Sequence, residues 1–552
     1  MSPFRHDDAK VTEDNTSTVA LAPANDAESE TAGPEGAQEP RRVVMPALQP
    51  GEIPTTTTWE IRSWYMYYVG CNGIGPYNFA PTAFQNLLSE AAVDSKLYFA
   101  GRERDINSIV LLCNGISFAI QIILFLAIGA YADFGTGRRW VLLAWSIIAY
   151  GVGFGWIAVH DSESWKAGVG LYMLGLISYQ VTTTYWAAAF PSLARNTKHL
   201  RDSQAGYKNG EISQQELHQR DDLERSRLSN VALWLQSIVE VFLLAVIIGV
   251  MFSLHVNDSE AKNNWGLSVL ITLSTAFWLV FSVPWFVLEK TRPGLQIPSG
   301  KSTLVVGFWQ LYTAFTQVWK LKQSLIFLVG YFFLGDSLNT SVTVIYTLQN
   351  QVVSYNTLTL TYLLLLNVVC QVIGVGAYWF IQKRLRLSIK PMLNAILVFT
   401  VLLATWGMIG NWSNKFGFHT IWEVWLFQVF LGLFISPWYS YAQIAISSVT
   451  PRGHEFLFFS IFNIVGKASS VIGPLISSAI IDATPGGSNN SAPFYFLFAL
   501  SLVSAVGIWR FLDLEESARE QERFLADENA RVHGVASAAG ANGIIRGLSI
   551  PP

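Results

Sequence analysis

Charge is scarce in this chain. Asp, Glu, Lys and Arg make up 14% of its 552 residues, whereas a soluble domain usually carries about 25%. That shortage argues against an ordinary soluble globular protein. The formal net charge of −3 says little by itself, because charge placement matters more here than the sum. No nucleic-acid partner is expected. Cysteine is scarcer still. Cys71, Cys113 and Cys370 lie in apolar segments without paired spacing, so neither a disulfide framework nor a metal site is expected. Catalytic signatures are missing too: the chain has no GxSxG elbow and no HExxH motif. An enzyme is therefore not expected, no cofactor is implied, and a membrane lipase is the weakest reading. The stretch GLQIPSGKST (294–303) only resembles a phosphate-binding loop. Five residues separate Gly294 from Gly300 where that motif needs four, and no strand is expected beside it.

What the chain has in abundance is apolar length. Hydrophobic residues reach 51%, with 20 Trp and 35 Phe. Apolar runs of roughly 20 residues, enough to cross a hydrocarbon core, fall near 64–84, 107–131, 140–159, 166–190, 230–254, 265–288, 324–346, 357–381, 391–410, 422–447, 456–482 and 494–512. The expected fold class is an all-α membrane protein with twelve transmembrane helices. Residues 1–58 form no cleavable signal. They hold ten Asp/Glu against four Lys/Arg and read as a disordered acidic tail. Residues 513–552 read as a second tail that begins with a surface helix.

Twelve spans place both tails on one side. The connections on that side hold 19 Lys and Arg, against 5 in the opposite loops, so both termini are expected to be cytoplasmic. The sequons at Asn257, Asn411 and Asn489 fall in the opposite loops and are glycosylation candidates. Six spans (59–288), a basic connector (289–323) and six more spans (324–512) predict two pseudo-equivalent halves. In the connector, Leu304, Phe308, Leu311, Phe315 and Val318 recur at helical spacing, which predicts an amphipathic helix on the cytoplasmic face. The charged loop 191–229 reads as a solvated helix.

Intramembrane ionisable groups mark function by default, since each costs roughly 2.5–3.5 kcal/mol at a span centre. Asp336, Glu240 and Lys467 are such groups. Each carboxylate is a candidate for carrying a proton or meeting a substrate ammonium, and Lys467 is a candidate for binding a carboxylate. A fixed Asp336–Lys467 ion pair is the alternative. The amides of Gln121, Gln180, Asn367, Gln371, Gln443 and Asn463 read mostly as interhelical hydrogen-bond glue. The first span, WYMYYVGCNGIGPYNFAPTAF, crowds Gly70, Gly73, Gly75, Pro76 and Pro81 into one apolar run. A kink or unwound turn is expected near Asn72–Pro76. The backbone freed at Asn72, Gly73 and Gly75 is a candidate substrate contact. A Pro-kinked helix packed closely through its glycines is the bland alternative.

Two resemblances follow. Gly129, Asp133, Gly137, Arg138 and Arg139 match the signature between spans two and three of the major facilitator superfamily. One extra residue precedes Gly137, and Phe134 stands where a basic residue is common. In that superfamily these groups clamp helices and tune gating. The stretch GCNGIGPYNFAPTAFQNLLSEAA, together with Pro451, Glu455, Phe456, Phe459, Gly466, Lys467, Gly473 and Pro474, resembles the fungal autophagy-related vacuolar amino-acid effluxer family, over residues 59–512. The resemblance implies a major-facilitator-like fold of two six-helix halves in the vacuolar membrane. It also implies efflux of neutral amino acids, leucine-, isoleucine- and tyrosine-like, from lumen to cytosol. From general transporter physics, protons are the candidate coupling partner and the lipid bilayer the surrounding medium. The rival readings are a facilitator for another small solute, such as a sugar or drug, and a non-transporting membrane scaffold.

Overall fold

The computed structural model describes residues 54–73, 75–92, 96–133, 137–256, 259–292, 318–352, 357–413, 415–484 and 489–527. Most of the expected connector helix, the phosphate-loop look-alike, Asn257, and the greater part of both tails lie outside the described residues.

The first span is broken where glycine and proline accumulate. Helix α1 (Thr58–Tyr68) passes into a π turn (Val69–Gly73). Gly75 is extended (φ −49°, ψ 139°), a short 3-10 turn follows at Pro76–Asn78, and α2 runs over Ala80–Ala91. Pro76 opens its turn and Pro81 lies in the first turn of α2, positions where a missing N–H costs nothing. Gly75 lies over the Cys71 carbonyl, so no side chain fits there. A hairpin of β1 (Lys96–Phe99) and β2 (Arg102–Asp105) follows, a small departure from the all-α expectation. Ala100 and Gly101 have φ of 49° and 84°, the left-handed pair that a two-residue hairpin turn demands.

The other helices of the first half are α3 (Ile106–Ala132), α4 (Arg138–Gly155), α5 (Trp165–Ala188), α6 (Phe190–Arg195), α7 (Lys198–Lys208), α8 (Gln214–Ser253) and α9 (Glu260–Leu288). The second half contains α10 (Lys322–Val352), α11 (Thr357–Leu385), α12 (Ile389–Ile409), α13 (Ile421–Phe430), α14 (Pro437–Val449), α15 (Glu455–Asp482) and α16 (Pro493–Phe511). A π turn at Leu431–Ile435 joins α13 to α14. A last helix, α17, spans 514–527.

Among the described residues, ten helices are long and apolar enough to cross a membrane. The first and fourth expected spans are the ones missing from that set. The first is broken. The fourth, α5, carries Ser178, Gln180, Thr182, Thr183 and Thr184 in one run, and their hydroxyls bond back to carbonyls of their own helix (Thr184 to Gln180 at 2.6 Å). Loop 191–229 is more ordered than a solvated helix. Its second part is the start of α8, capped where Ser213 accepts from the Glu216 N–H at 3.2 Å, and it is continuous with the fifth span.

Candidate functional site

The π turn presents Asn72 to an aromatic wall. Asn72 donates to the Tyr68 hydroxyl at 3.0 Å and accepts from the Tyr179 hydroxyl of α5 at 3.0 Å. Tyr68 stacks on Trp186 with ring centroids 4.2 Å apart, and Trp186 stacks on Trp64 at 4.3 Å. The two indoles donate to each other's backbone carbonyls at 3.0 and 3.1 Å. On the other side, Tyr179 stacks on Tyr77 at 4.8 Å and meets Trp278 of α9 edge-on. Gly70 lets the π turn press against Trp278 and Phe281. These contacts hold the break in one conformation.

Glu240 of α8 belongs to the same neighbourhood. It lies on a helix packed against the π turn, accepts from Gln236 at 2.6 Å and remains only partly buried. One turn earlier, Ser237 accepts from Gln371 of α11 at 2.7 Å, which brings the second half to the same place. Chemically, the group offers one carboxylate, the side-chain amides of Asn72, Gln236 and Gln371, and several phenol hydroxyls within an apolar aromatic shell.

Asp336 lies elsewhere. Its carboxylate accepts the Gly473 N–H of α15 at 2.9 Å and the Thr340 hydroxyl at 3.4 Å. Gly473 precedes Pro474, the proline inside α15. A Cβ at Gly473 would run into Asp336 and Thr340. Lys467 lies on α15 one turn beyond Asn463, which bonds Thr184 of α5. Residues four apart share a helix face, so Lys467 lies on the face turned to the first half. Gly466 packs on Tyr331 of α10. The structure thus groups Asn72 with Glu240 and places Asp336 at the α10–α15 contact.

At the end carrying the Lys- and Arg-rich connections, hereafter the basic end, the halves are joined. Asp133 is buried, and its two oxygens accept the Phe456 and Leu457 N–H groups at 3.0 Å each. It thereby caps α15, where N–H groups lack partners and the helix dipole favours negative charge. Burial pushes the Asp133 carboxyl well above its usual range, while His454 and the two N–H groups pull it back. Arg195 forms a buried ion pair with Glu455. Arg138 lies over the Phe456 ring, and Arg139 donates to the Phe286 carbonyl of α9. Gly137 caps α4, accepting from Val141 at 3.1 Å, and Gly129 lies within α3. Further bonds across the halves run from Arg225 to the Ser447 carbonyl (3.0 Å), from Ser440 to Ser229 (3.0 Å), from Gln382 to Ser226 (2.9 Å) and from the Ile389 N–H to Asp222 (3.4 Å).

A family model described as "Vacuole effluxer Atg22 like" matches residues 56–522. The chain belongs to this family. Among Atg22-like relatives, autophagy-related protein 22 of Gibberella zeae is 24% identical over 90% of this chain and 87% of its own length. The Yarrowia lipolytica protein of that name is 22% identical over 77% and 78%. Among solved structures, the major facilitator superfamily proton:xylose symporter XylE bound to 6-bromo-6-deoxy-D-glucose superposes with a TM-score of 0.57 at 11% identity. That match covers 82% of this chain and 95% of the symporter. A bacterial homologue of the iron transporter ferroportin in its outward-facing state gives 0.51 at 13% identity, over 84% and 99%. This Atg22-like chain is therefore a multi-pass membrane protein with the major facilitator fold, and its family and fold are those of transporters.

Several site residues escaped the sequence reading. Arg195 counts there only as a loop charge, and Tyr68, Tyr179 and Trp186 only as bulk aromatics. The glue amides Gln371 and Asn463 do bridge helices, and both bridge the two halves. Among the sequons, Asn411 is half-buried, its amide nitrogen taken up by the Met408 and Ser491 carbonyls at 3.2 and 2.9 Å, while Asn489 is exposed and donates to the Asn411 side-chain oxygen at 3.2 Å.

Proposed function

We propose that this chain exports neutral amino acids, leucine-, isoleucine- and tyrosine-like, from the vacuole lumen to the cytosol by alternating access. Residues 59–288 and 324–512 are the moving halves, and both termini are cytosolic. The observation that carries the reading is the Asn72–Tyr68–Tyr179–Glu240 group on a broken first span, with the basic end beyond it tied shut. In this reading the form described here is closed to the cytosol. The ammonium meets Glu240, the carboxylate meets Asn72 and the freed backbone at Gly73 and Gly75, and the aromatic wall takes the side chain. Half-helix ends serve this purpose in other transporters. Lys467, on the face turned to the first half, is a second contact for the carboxylate. Asp133, Arg138, Arg139, Arg195 and Glu455 form the cytosolic gate. Proton export with the substrate, carried by Glu240, gives an acidic lumen a way to drive efflux. Asn489, the exposed sequon, is the position for a lumenal glycan.

Reconstitution into liposomes with labelled leucine, tyrosine and glucose tests the substrate class. Saturable leucine and tyrosine flux without glucose flux is expected; glucose flux alone rejects the reading. Leucine flux that is indifferent to collapse of the pH gradient rejects the proton step.

A further inference from the structure

The first part of the C-terminal tail is docked. Asp513 caps α17, its carboxylate accepting the Glu515 and Glu516 N–H groups at 2.9 and 3.2 Å. Helix α17 then completes the ends of two other helices at once. Glu520 accepts the Gln323 N–H in the first turn of α10 at 2.9 Å, while the Gln323 side chain accepts the Asp513 N–H at 2.8 Å. The Gln521 side chain donates to the Ser448 carbonyl in the last turn of α14 at 2.8 Å. Helix ends carry N–H and C=O groups without partners, and α17 supplies them. Ser517 is 1% exposed and Phe524 6% exposed. The Phe524 ring meets His454, the residue before α15, edge-on at 5.6 Å. Lys320 and Asp527 add an exposed ion pair.

One tail helix therefore fixes the basic ends of α10, α14 and α15 against one another. Two of those ends make the bonds across the halves: α15 through Asp133 and Arg195, and α14 through Arg225.

We propose that residues 514–527 are a latch that holds the basic-end gate shut, so that docking or release of the C-terminal tail sets how readily the gate opens. The proposal rests on the alternating-access reading above and not on the identity of the solute.

Ser229 supplies the reporter position, since it is 2% exposed and bonded to Ser440 across the halves. Ser229→Cys is reacted with a membrane-impermeant maleimide in nanodiscs. The parent chain, with buried Cys71, Cys113 and Cys370, supplies the background. Adding Phe524→Ala, or a stop after Leu512, is expected to speed labelling at least threefold. Arg523→Ala, on the exposed face of α17, is expected to leave it unchanged. Phe524→Ala labelled at the parent rate overturns the latch. So does equal acceleration by Arg523→Ala, or acceleration that appears only with a collapse of Tm. Labelling needs no substrate, so the latch and the efflux reading are tested apart: loss of leucine flux with intact labelling differences rejects only the latter.

Discussion

Glu240 and Asp336 are carboxylates near the middle of two membrane helices, and their surroundings differ completely. Asp336 is 2% exposed and bonded to a backbone N–H of another helix, beside a glycine that leaves no free volume. Glu240 has one side-chain amide partner, on its own helix, and α8 packs against the π turn that carries Asn72. A charged group at span centre costs roughly 2.5–3.5 kcal/mol. A hydrogen bond to a charged group returns about 1.5–3 kcal/mol, so the Gly473 bond offsets most of the cost of Asp336. The Gly473 bond thus makes Asp336 a tie between α10 and α15, beside the proline that lies within the latter. Glu240 has a bond of similar worth, but to Gln236 of its own helix, so it ties no second helix in place; in the efflux reading it is the group offered to the ligand. In the efflux reading proposed above, the two carboxylates thus divide into a structural and a functional role through their partners.

Substitutions can break that distinction. The largest effect is expected from Glu240→Gln, which should lower leucine flux at least tenfold in liposomes while Tm stays within a few degrees. Normal flux in this variant would remove Glu240 from the site. Asp336→Ala should instead cost about 1–3 kcal/mol of stability by removing the hydrogen bond between α10 and α15, read as a lower Tm, with flux per folded molecule largely kept. Next in size is Tyr179→Phe, which removes one hydrogen bond to Asn72, worth about 0.5–1.5 kcal/mol. A rise in KM of about two- to tenfold, with little change in Tm, is expected. The smallest effect belongs to Asp336→Asn, whose amide oxygen can still accept from Gly473; a stability loss of about 1 kcal/mol and wild-type flux are expected. Abolished flux in a well-folded Asp336→Asn variant would reverse the assignment of the two carboxylates.

Much of this architecture was legible in local chemistry. Gly75 and Pro76 announce the break in the first span, because neither residue supports a helix interior. The sequence singles out Asp133 through its place beside Arg138 and Arg139. The signature did not reveal its partners, the Phe456 and Leu457 N–H groups, since backbone donors more than 300 residues away leave no trace in side-chain identity. Arg195 was hidden for the same reason: on the chain it is a loop cation, and only the fold brings it to Glu455. The tyrosine and tryptophan stack depends on which faces of α1 and α5 meet, which composition does not encode. Asp336 and Lys467 were both legible as unusual, but the partner of Asp336, the Gly473 N–H, appears only in three dimensions.

Helix α8 has forty residues, about 60 Å at 1.5 Å per residue, twice the roughly 30 Å of a hydrocarbon core. It is therefore a lever as well as a span. Pivoted at its midpoint, a tilt of one-tenth of a radian moves its free end by about 3 Å, comparable to one hydrogen-bond length. Near that end Gln219 reaches the Arg386 carbonyl at 2.6 Å and Asp222 meets the Ile389 N–H. A rearrangement of a few tenths of an ångström beside Glu240 would be magnified along this rod toward the contacts that hold the halves together.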